Sequence, residues 1–499
     1  MSHWIIAPVV LPAILAPLIV LLMRQDLFLQ RVFSTVGTVL LLVIATALLV
    51  AATNHPPEVY RLGNWPAPFG IVLVLDRLSA LMVVLTALLA LAVQLYVIGT
   101  DWDTRGRHFH ALFQFQLMGI CGAFLTGDAF NLFVFFEVLL IASYGLMIHG
   151  GGRDRLRAGV QYVALNLVGS TLFLFGLATI YAVTGTLNMA DLAVKVAALP
   201  AGDFALIRVA AVMLMLVFAV KGALVPLHFW LPGTYANAPG PVAALFAVMT
   251  KIGAYAILRT GTLIFPPDTP ATGSLIGDLL LPAALITLVV GAIGVLGARS
   301  LPRLAAFAGI ASMGTLFTTL SAFTPAATGA ALYYMIHSTL ATATLFLVAD
   351  LVTDRRKADR IDTSHPAIAQ QGLIAALFFA AAIAMAGMPP LSGFLGKLLI
   401  MDALRENAAL VWSVILITSF LMMVGFARAG SALFWKPAES KATSHAPEPL
   451  AFTAVFALIG GLVLLTVFAG PVTVWLNETA THLHERGAYI AANQLPGGN

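Results

Sequence analysis

Long apolar stretches alternate with short polar ones along the whole chain. About 20 apolar residues cross a hydrocarbon core of about 30 Å as a helix. Fourteen stretches reach this length, which predicts an all-α integral membrane protein with about 14 transmembrane helices. The approximate ranges are 4–23, 31–52, 74–99, 109–127, 129–149, 158–184, 206–231, 239–262, 276–298, 303–322, 329–352, 372–404, 409–435 and 449–477.

Two of these segments carry helix breakers in their interiors. In the seventh, Pro226 follows Lys221 by five residues, and in the twelfth, Pro389 and Pro390 precede Lys397. Proline removes a helical hydrogen bond and frees a carbonyl, which a membrane tolerates only beside protein or water. Both segments are therefore predicted to be discontinuous helices, a feature that marks ion sites in transporters built from repeats.

The two interruptions occupy corresponding places in two halves of the chain. Segments four to eight and nine to thirteen predict two five-helix repeats, and an odd number of helices requires that the copies be inverted in the membrane. The predicted divisions are N-terminal helices one to three (1–108), a first repeat (109–262), a second, inverted repeat (276–435), and a C-terminal helix 14 with its tail (436–499).

Composition agrees with a membrane protein and narrows its chemistry. Of the 499 residues, 60% are hydrophobic and 10% are charged, which is too apolar for a soluble domain. The single cysteine, Cys121, lies in an apolar segment, so a cysteine-ligated iron–sulfur cluster or zinc site lacks ligands. No cofactor is predicted. No recognisable carboxylate cluster encodes a choice among monovalent cations, so a metal site stays undefined.

The distribution of basic residues predicts an orientation. Of 26 Lys and Arg residues, fifteen lie in loops that follow odd-numbered segments, six, including Arg259, are assigned to the opposite side, and five lie within helices. By the positive-inside rule, the odd loops face the cytoplasm and both termini lie outside. An outer stretch over 53–70, rich in proline, is expected to form an extended or hairpin cap.

Four charged residues lie inside apolar segments: Glu137, Lys221, Lys251 and Lys397. A charge at the centre of a membrane helix costs roughly 2.5–3.5 kcal/mol on insertion scales. Each could be a hydrogen-bonded packing residue, but one acid with several amines and no prosthetic group is the inventory of a proton relay.

Five motifs resemble the D subunit of the multisubunit monovalent cation/proton antiporters called Mrp, Mnh or Pha. They are FLTGDAFNLFVFFEVLLIASYG (124–145), GTLNMADL (185–192), KGALVPLHFWLP (221–232), APGPV (238–242) and GMPPLSGFLGK (387–397). Antiporter-like subunits of respiratory complex I and of membrane-bound hydrogenases are related, but they often have Trp before the glutamate and Pro shortly after it. Phe136 and the run 141–143 differ from that pattern, which favours the antiporter family.

The resemblance implies a role for each buried charge. Glu137 is expected to pair with Lys221, so that a change in their separation controls proton release by the lysine. Lys251 would pass protons towards the middle of the protein. His337 would bridge the two halves, and Lys397 would connect to the far half.

Other positions have both a functional and a structural interpretation. Many relatives carry a lysine a few residues after the histidine, where this chain has Thr342, which binds water but holds no charge. His228 either joins the relay or satisfies carbonyls freed near Pro226. Asp128 either caps the fifth helix or lies at a proton or cation entrance, and Asp76 is expected to anchor the third helix at the interface.

The favoured function is the proton-translocating subunit of a Na⁺ or K⁺/H⁺ antiporter in a bacterial plasma (inner) membrane, assembled with other subunits. This makes the chain part of a secondary transporter and not an enzyme. The alternative is a proton-pumping subunit of a redox-driven complex, such as an NADH dehydrogenase or a membrane-bound hydrogenase. A scaffold with a degenerate relay is a third and weaker interpretation, made possible by Thr342.

Overall fold

The computed structural model describes residues 2–436 and 444–493, and this part of the chain contains 19 α-helices. They are α1 (Ala7–Leu22), α2 (Leu27–Asn54), α3 (Arg77–Gly99), α4 (Phe109–Leu125), α5 (Ala129–Met147), α6 (Arg153–Thr184), α7 (Met189–Ala197), α8 (Phe204–Lys221), α9 (Trp230–Asn237), α10 (Gly240–Leu263), α11 (Leu275–Gly297), α12 (Leu301–Leu320), α13 (Pro325–Arg356), α14 (Gln371–Ala386), α15 (Ser392–Ala403), α16 (Ala408–Gly430), α17 (Pro449–Val467), α18 (Ala469–His484) and α19 (Gly487–Asn493).

Eleven helices of the described chain are long and apolar enough to cross a membrane, and α1, α4 and α14 are shorter apolar helices. Every predicted segment coincides with one of these fourteen helices, but the three short ones have only 16 or 17 residues. The structure thus confirms a helical membrane protein, whereas fourteen crossings stay a prediction. The predicted segment 449–477 is wrong as one helix, because the chain turns at Phe468 between α17 and α18.

A two-stranded antiparallel sheet is the exception to the all-α expectation in the described chain. Strand β1 (Glu58–Arg61) pairs with β2 (Val72–Leu75), with Glu58 opposite Leu75 and Arg61 opposite Val72. The proline-rich turn between the strands belongs to the stretch for which a hairpin cap was predicted, so that expectation is confirmed.

Helices α10 and α13 form the centre of the bundle. In the most apolar 18-residue stretch of α10 every residue is buried, and in that of α13 89% of the residues are buried. In the corresponding stretches of α16 and α17 only 33% of the residues are buried. Since the outer helices expose apolar side chains, lipid or partner subunits are the surroundings that suit them. Lys251 and His337, near the centres of α10 and α13, are therefore enclosed by protein.

Small residues bring neighbouring helices into close contact. A Cβ added to Gly291 of α11 would lie 2.3 Å from the backbone nitrogen of Ala311, and one added to Gly314 of α12 would lie 2.4 Å from that of Leu288. Without a hydrophobic driving force between helices in lipid, such close approach supplies the van der Waals contact that holds them together.

Both predicted interruptions are present, and polar groups that they free have partners. Between α8 and α9, Val225 N donates to Thr287 Oγ1 of α11 at 2.8 Å, and Trp230 Nε1 donates to Val220 O at 3.0 Å. Between α14 and α15, Met388 N donates to Ile383 O at 3.0 Å. Protein thus replaces lost helical bonds, as irregular backbone at membrane depth requires.

The predicted division of the chain into four parts is not decided by these elements and stays a prediction. Of its C-terminal part, 436–499, residues 437–443 and 494–499 lie outside the described residues.

Candidate functional site: a chain of buried polar groups

Glu137 lies in α5 and is held by the neighbouring helix α6. Its Oε1 accepts a short hydrogen bond from Ser170 Oγ. A hydroxyl can donate to a carboxylate and can equally accept from a protonated acid, because its hydrogen rotates. Ser170 therefore suits both protonation states of Glu137.

Lys221 is the last residue of α8 and only 6% of it is exposed. Its Nζ donates to Asn166 Oδ1 at 2.7 Å, and the Asn166 amide in turn donates to Tyr162 O at 2.8 Å. The ammonium also lies 5.8 Å from the centroid of the Phe136 ring. A cation at a helix C-terminus is favoured by the helix dipole, so the end of α8 supports the charged amine.

No ion pair within 4.0 Å joins Glu137 and Lys221 among the described residues, so their expected pairing stays a prediction. Instead, both bind α6, Glu137 through Ser170 and Lys221 through Asn166. Residues four apart lie one above the other on the same helix face, so α6 separates the two contacts by about one helical turn. The sequence carried this signal, since Asn166 and Ser170 are polar residues at helical spacing in an apolar segment.

Lys251 lies in the centre of α10 and is 1% exposed. No described residue forms a hydrogen bond or ion pair with its amine. Gly253 brings this part of α10 against the end of α8, because an added Cβ would lie 2.8 Å from Gly222 N. Burying a charged amine without a polar partner is costly, and this sets Lys251 apart from Lys221 and Lys397.

His337 and Lys397 meet at the second interruption. His337 Nδ1 is 2.9 Å from the hydroxyl of Ser392, the first residue of α15. Lys397 Nζ donates to Ala386 O at 2.9 Å, which is the last carbonyl of α14, and to Ser419 Oγ of α16 at 2.7 Å. The lysine therefore caps the broken end of α14, and the structural and functional interpretations of Lys397 use the same contact.

The two lower-ranked candidates lie apart from this chain of contacts. His228 lies in the first interruption, and its Nδ1 is buried without a hydrogen-bond partner among the described residues. Asp128 caps α5 by accepting from Asn131 N at 2.7 Å, and burial raises the pKa of Asp128 to about 6. Thr342 contributes no charge: its Oγ1 contacts Met385 Sδ at 3.9 Å.

The sequence analysis missed a buried ion pair near the C-terminal end of α10. Arg259 NH1 and NH2 donate to the two oxygens of Asp76 at 2.6 and 2.9 Å, and the side chains are 4% and 10% exposed. The sequence placed Arg259 on the outer side among loop residues, which is wrong because it lies inside α10, whereas an interfacial position for Asp76 stays a prediction. The error arose because Arg259 is only four residues from the end of α10, where a single sequence cannot distinguish a buried arginine from an exposed one.

One group among the described residues has donor atoms close enough to hold a metal ion: Asp354, His445 and Glu448. Cations already occupy both carboxylates, with Lys357 Nζ 3.1 Å from Asp354 and Arg355 NH2 2.9 Å from Glu448. This neutralisation disfavours a metal, so the group is better described as an ion-pair network.

Comparison with known proteins places this arrangement in a family. The family model described as "NADH:quinone oxidoreductase/Mrp antiporter, TM" matches residues 126–422, which include every lysine and the glutamate discussed above as relay residues. The chain is 38% identical over 519 residues to the D subunit of a probable K(+)/H(+) antiporter of Rhizobium meliloti (97% of this chain, 96% of that protein). It is also 38% identical over 482 residues to the D subunit of a Na(+)/H(+) antiporter of Bacillus subtilis (96% and 95%).

The chain belongs to the family of Mrp antiporter D subunits. Among solved structures, a chain of the Mrp complex from Dietzia sp. DQ12-45-1b matches with a TM-score of 0.89 and 26% identity, covering 99% of this chain and 100% of that one. A chain of an archaeal membrane-bound sulfane sulfur reductase matches with a TM-score of 0.89 and 25% identity over 99% and 100%. These matches confirm the family that the motifs indicated. Relatives in this family are transporter subunits of multisubunit complexes rather than catalytic enzymes.

Proposed function

We propose that this chain is the proton-translocating subunit of a Na⁺ or K⁺/H⁺ antiporter, working with other antiporter subunits in a bacterial inner membrane. The observation that carries the proposal is the set of four charged residues inside the helices, of which Glu137 is half-buried and the three lysines are buried. Three of the four bind polar side chains of adjacent helices or the carbonyl at a helix interruption. Relatives of nearly the same length, named as D subunits of antiporters, support the class of transport.

The first half of the proposed pathway works through α6. Ser170 donates a hydrogen bond to Glu137, and Lys221 donates one to Asn166. Small rotations of α6 or α8 would therefore change the hydrogen-bond partners of both charged groups. When the ammonium approaches the glutamate, both charged forms are favoured; when it withdraws, the amine releases its proton. Lys251, which has no fixed partner among the described residues, would receive that proton.

The second half of the proposed pathway is the interruption of α14. His337, bound to Ser392, can take a proton on one ring nitrogen and release one from the other. Lys397 would then hold the proton where the carbonyl of Ala386 stabilises the ammonium. Asp128 and His228 are lower-ranked members of this pathway. Asp128 also caps α5, and His228 lies in the first interruption.

The proposal includes fourteen crossings, two inverted five-helix repeats over 109–262 and 276–435, and both termini on the outer side. Support comes from the two interruptions, each of which has a buried lysine beside it: Lys221 ends the half-helix before the first, and Lys397 lies in the half-helix after the second. The excess of basic residues in the odd-numbered loops supports the predicted orientation.

A pumping role in a redox-driven complex is a second candidate, favoured by the structural match to the sulfane sulfur reductase. Inside-out vesicles from an antiporter-deficient host that expresses the complete gene cluster separate the two. If Na⁺ or K⁺ dissipates a respiration-generated pH gradient in these vesicles but not in vesicles from the empty host, the antiporter proposal stands. If cations have no effect while a reductant added to the purified complex drives proton uptake, the pump is correct.

A further inference from the structure

Asp350 is a half-buried carboxylate that the pathway described above does not use. It lies on α13, six residues before the helix ends at Arg356, and therefore about 9 Å inside that end. The same end of the bundle carries Arg105, Arg153 and Arg155, and we call it the basic face. By the positive-inside rule, the basic face is predicted to be cytoplasmic.

Two neutral donors hold one oxygen of this carboxylate. Tyr96 OH and Trp102 Nε1 each donate to Asp350 Oδ2 at 2.8 Å. No described Lys or Arg nitrogen lies within 4.0 Å of the group, in contrast to Asp76 or Asp103. An acid held by neutral donors can gain and lose a proton without breaking an ion pair, which would cost several kcal/mol.

The second oxygen is available. Asp350 Oδ1 has no hydrogen-bond donor among the described residues, and it lies against Gly240, the first residue of α10, where an added Cβ would come within 2.6 Å of it. A side chain at position 240 would therefore displace the carboxylate. Glycine leaves room for Oδ1 beside the start of the helix that carries Lys251.

The carboxylate forms part of the wall of an open cavity of about 540 Å³ in the basic face. The cavity passes between the start of α6, the end of α9 and the end of α13, and this volume holds many waters. Its charged lining is mixed: Arg105, Arg153, Arg155 and Lys357 face it together with Asp154, Asp354 and Asp359. Tyr96 and Tyr235 are the other titratable groups near Asp350, and Gly240 brings none from α10.

We propose that Asp350 is a proton-binding site at the inner end of this cavity, where a proton passes from cavity water to Oδ1 before it moves into the protein. The site rests on the proposed function for its role in transport, but not for its binding of a proton. Lys251 is eleven residues further along α10 from Gly240, about 16 Å at 1.5 Å per residue, and His337 is about 20 Å away along α13. Asp350 is accordingly an entrance group, and bound water has to carry the proton onward.

Labelling with a hydrophobic carbodiimide tests proton binding directly. The reagent adds the acid proton to one nitrogen and the carboxyl oxygen to its central carbon, and the adduct rearranges to a stable N-acylurea, so only a protonated, accessible carboxyl reacts. In the assembled complex, peptide mass spectrometry should find the adduct on Asp350, with a yield that increases as the pH falls. Absence of the adduct at every pH from about 5 to about 9 would overturn the proposal, because an accessible acid is protonated to some extent near its pKa.

Transport by two variants tests the entrance role. Asp350→Asn should lower the rate of cation-driven proton exchange at least tenfold, whereas Asp278→Asn, a matched change of an exposed aspartate on α11, should leave it unchanged. Tyr96→Phe removes one donor without changing charge and should move the pH of half-maximal exchange. If Asp350→Asn does not assemble, the Tyr96→Phe profile decides: an unchanged profile contradicts the proposal.

These outcomes separate the site from the proposed function. If the parent complex shows no cation-driven exchange but Asp350 reacts in a pH-dependent manner, antiport is wrong and the proton site stands. If the parent exchanges and Asp350→Asn exchanges equally well, antiport stands and the entrance lies elsewhere.

Discussion

The buried pair of Asp76 and Arg259 offers a quantitative test of the packing where α3 begins and α10 ends. Asp76→Asn removes the negative charge but retains a side-chain oxygen that can cap α3 by accepting from Ser79 N, as Asp76 does at 2.8 Å. The change therefore isolates the ion pair. The Arg259 guanidinium is left buried without a countercharge, with the asparagine oxygen and the hydroxyl of Tyr255, at 3.4 Å, as neutral acceptors.

Breaking a buried pair by removing one partner costs about 3–5 kcal/mol, because the other charge stays uncompensated. Replacing both partners removes that penalty, so Asp76→Asn combined with Arg259→Met should cost much less than Asp76→Asn alone. The matched control is Asp26→Asn, since Asp26 caps α2 through Leu29 N at 3.0 Å and is exposed. The control should change stability by less than about 0.5 kcal/mol.

Reversible unfolding in mixed micelles, followed by tryptophan fluorescence, measures these differences. Burial alone would raise the pKa of Asp76, but the adjacent Arg259 guanidinium and the Ser79 contacts outweigh it and hold the pKa below the ordinary value of 3.8. The contribution of the pair is therefore fully present above that ordinary value and is lost as the pH falls through the lower, folded-state value. A cost below about 1 kcal/mol for Asp76→Asn at neutral pH, or a double variant as unstable as the single one, would refute this reasoning.

Three further changes test other contacts. Ser170→Ala removes a hydrogen bond to a charged group, worth about 1.5–3 kcal/mol, and should slow exchange about tenfold to a hundredfold, whereas the exposed neighbour change Thr171→Ala should not. Gly393→Ala places a Cβ 2.0 Å from a backbone oxygen of α14 and should lower both complex yield and exchange; Gly233→Ala, which meets nothing within 4 Å, should lower neither. Asp128→Asn should stabilise the folded chain by about 1–3 kcal/mol at about pH 8 in unfolding measurements, and by little at about pH 4, because the pKa of the buried acid is raised to about 6. Loss of exchange in assembled Asp128→Asn would instead make Asp128 part of the proton path.

The segments and their interruptions could be predicted because their signals are local. An apolar run of about 20 residues predicts a membrane helix without reference to the rest of the chain, and a proline within such a run predicts a break in that helix. The positions of Lys221 at the end of a half-helix and of Lys397 after one follow from the same runs. The turn at Phe468 was missed although Gly470 and Pro471, which follow it closely, are typical of a helix break. The chain is apolar on both sides, so the two helices were joined into one segment, whereas α18 packs against α13.

Contacts between distant segments could not be predicted in the same way. Glu137 and Lys221 bind Ser170 and Asn166 because α6 lies between α5 and α8, and no single sequence fixes that order of helices. Asp350 was passed over because it stands six residues from a charged helix end, where exposure is the usual expectation. Its donors come from α3 and the following loop, more than 240 residues away in the chain.

The most direct test of the central claim is proton exchange by vesicles in which each of the four charged residues inside the helices is neutralised in turn. Glu137→Gln, Lys221→Met, Lys251→Met and Lys397→Met are compared with two exposed controls, Glu406→Gln and Lys195→Met, at equal levels of assembled complex. Cation-induced dissipation of the pH gradient should be lost in all four variants and kept in both controls. Exchange at the parent rate by any assembled member of the four would contradict the assignment of that residue to the proton path.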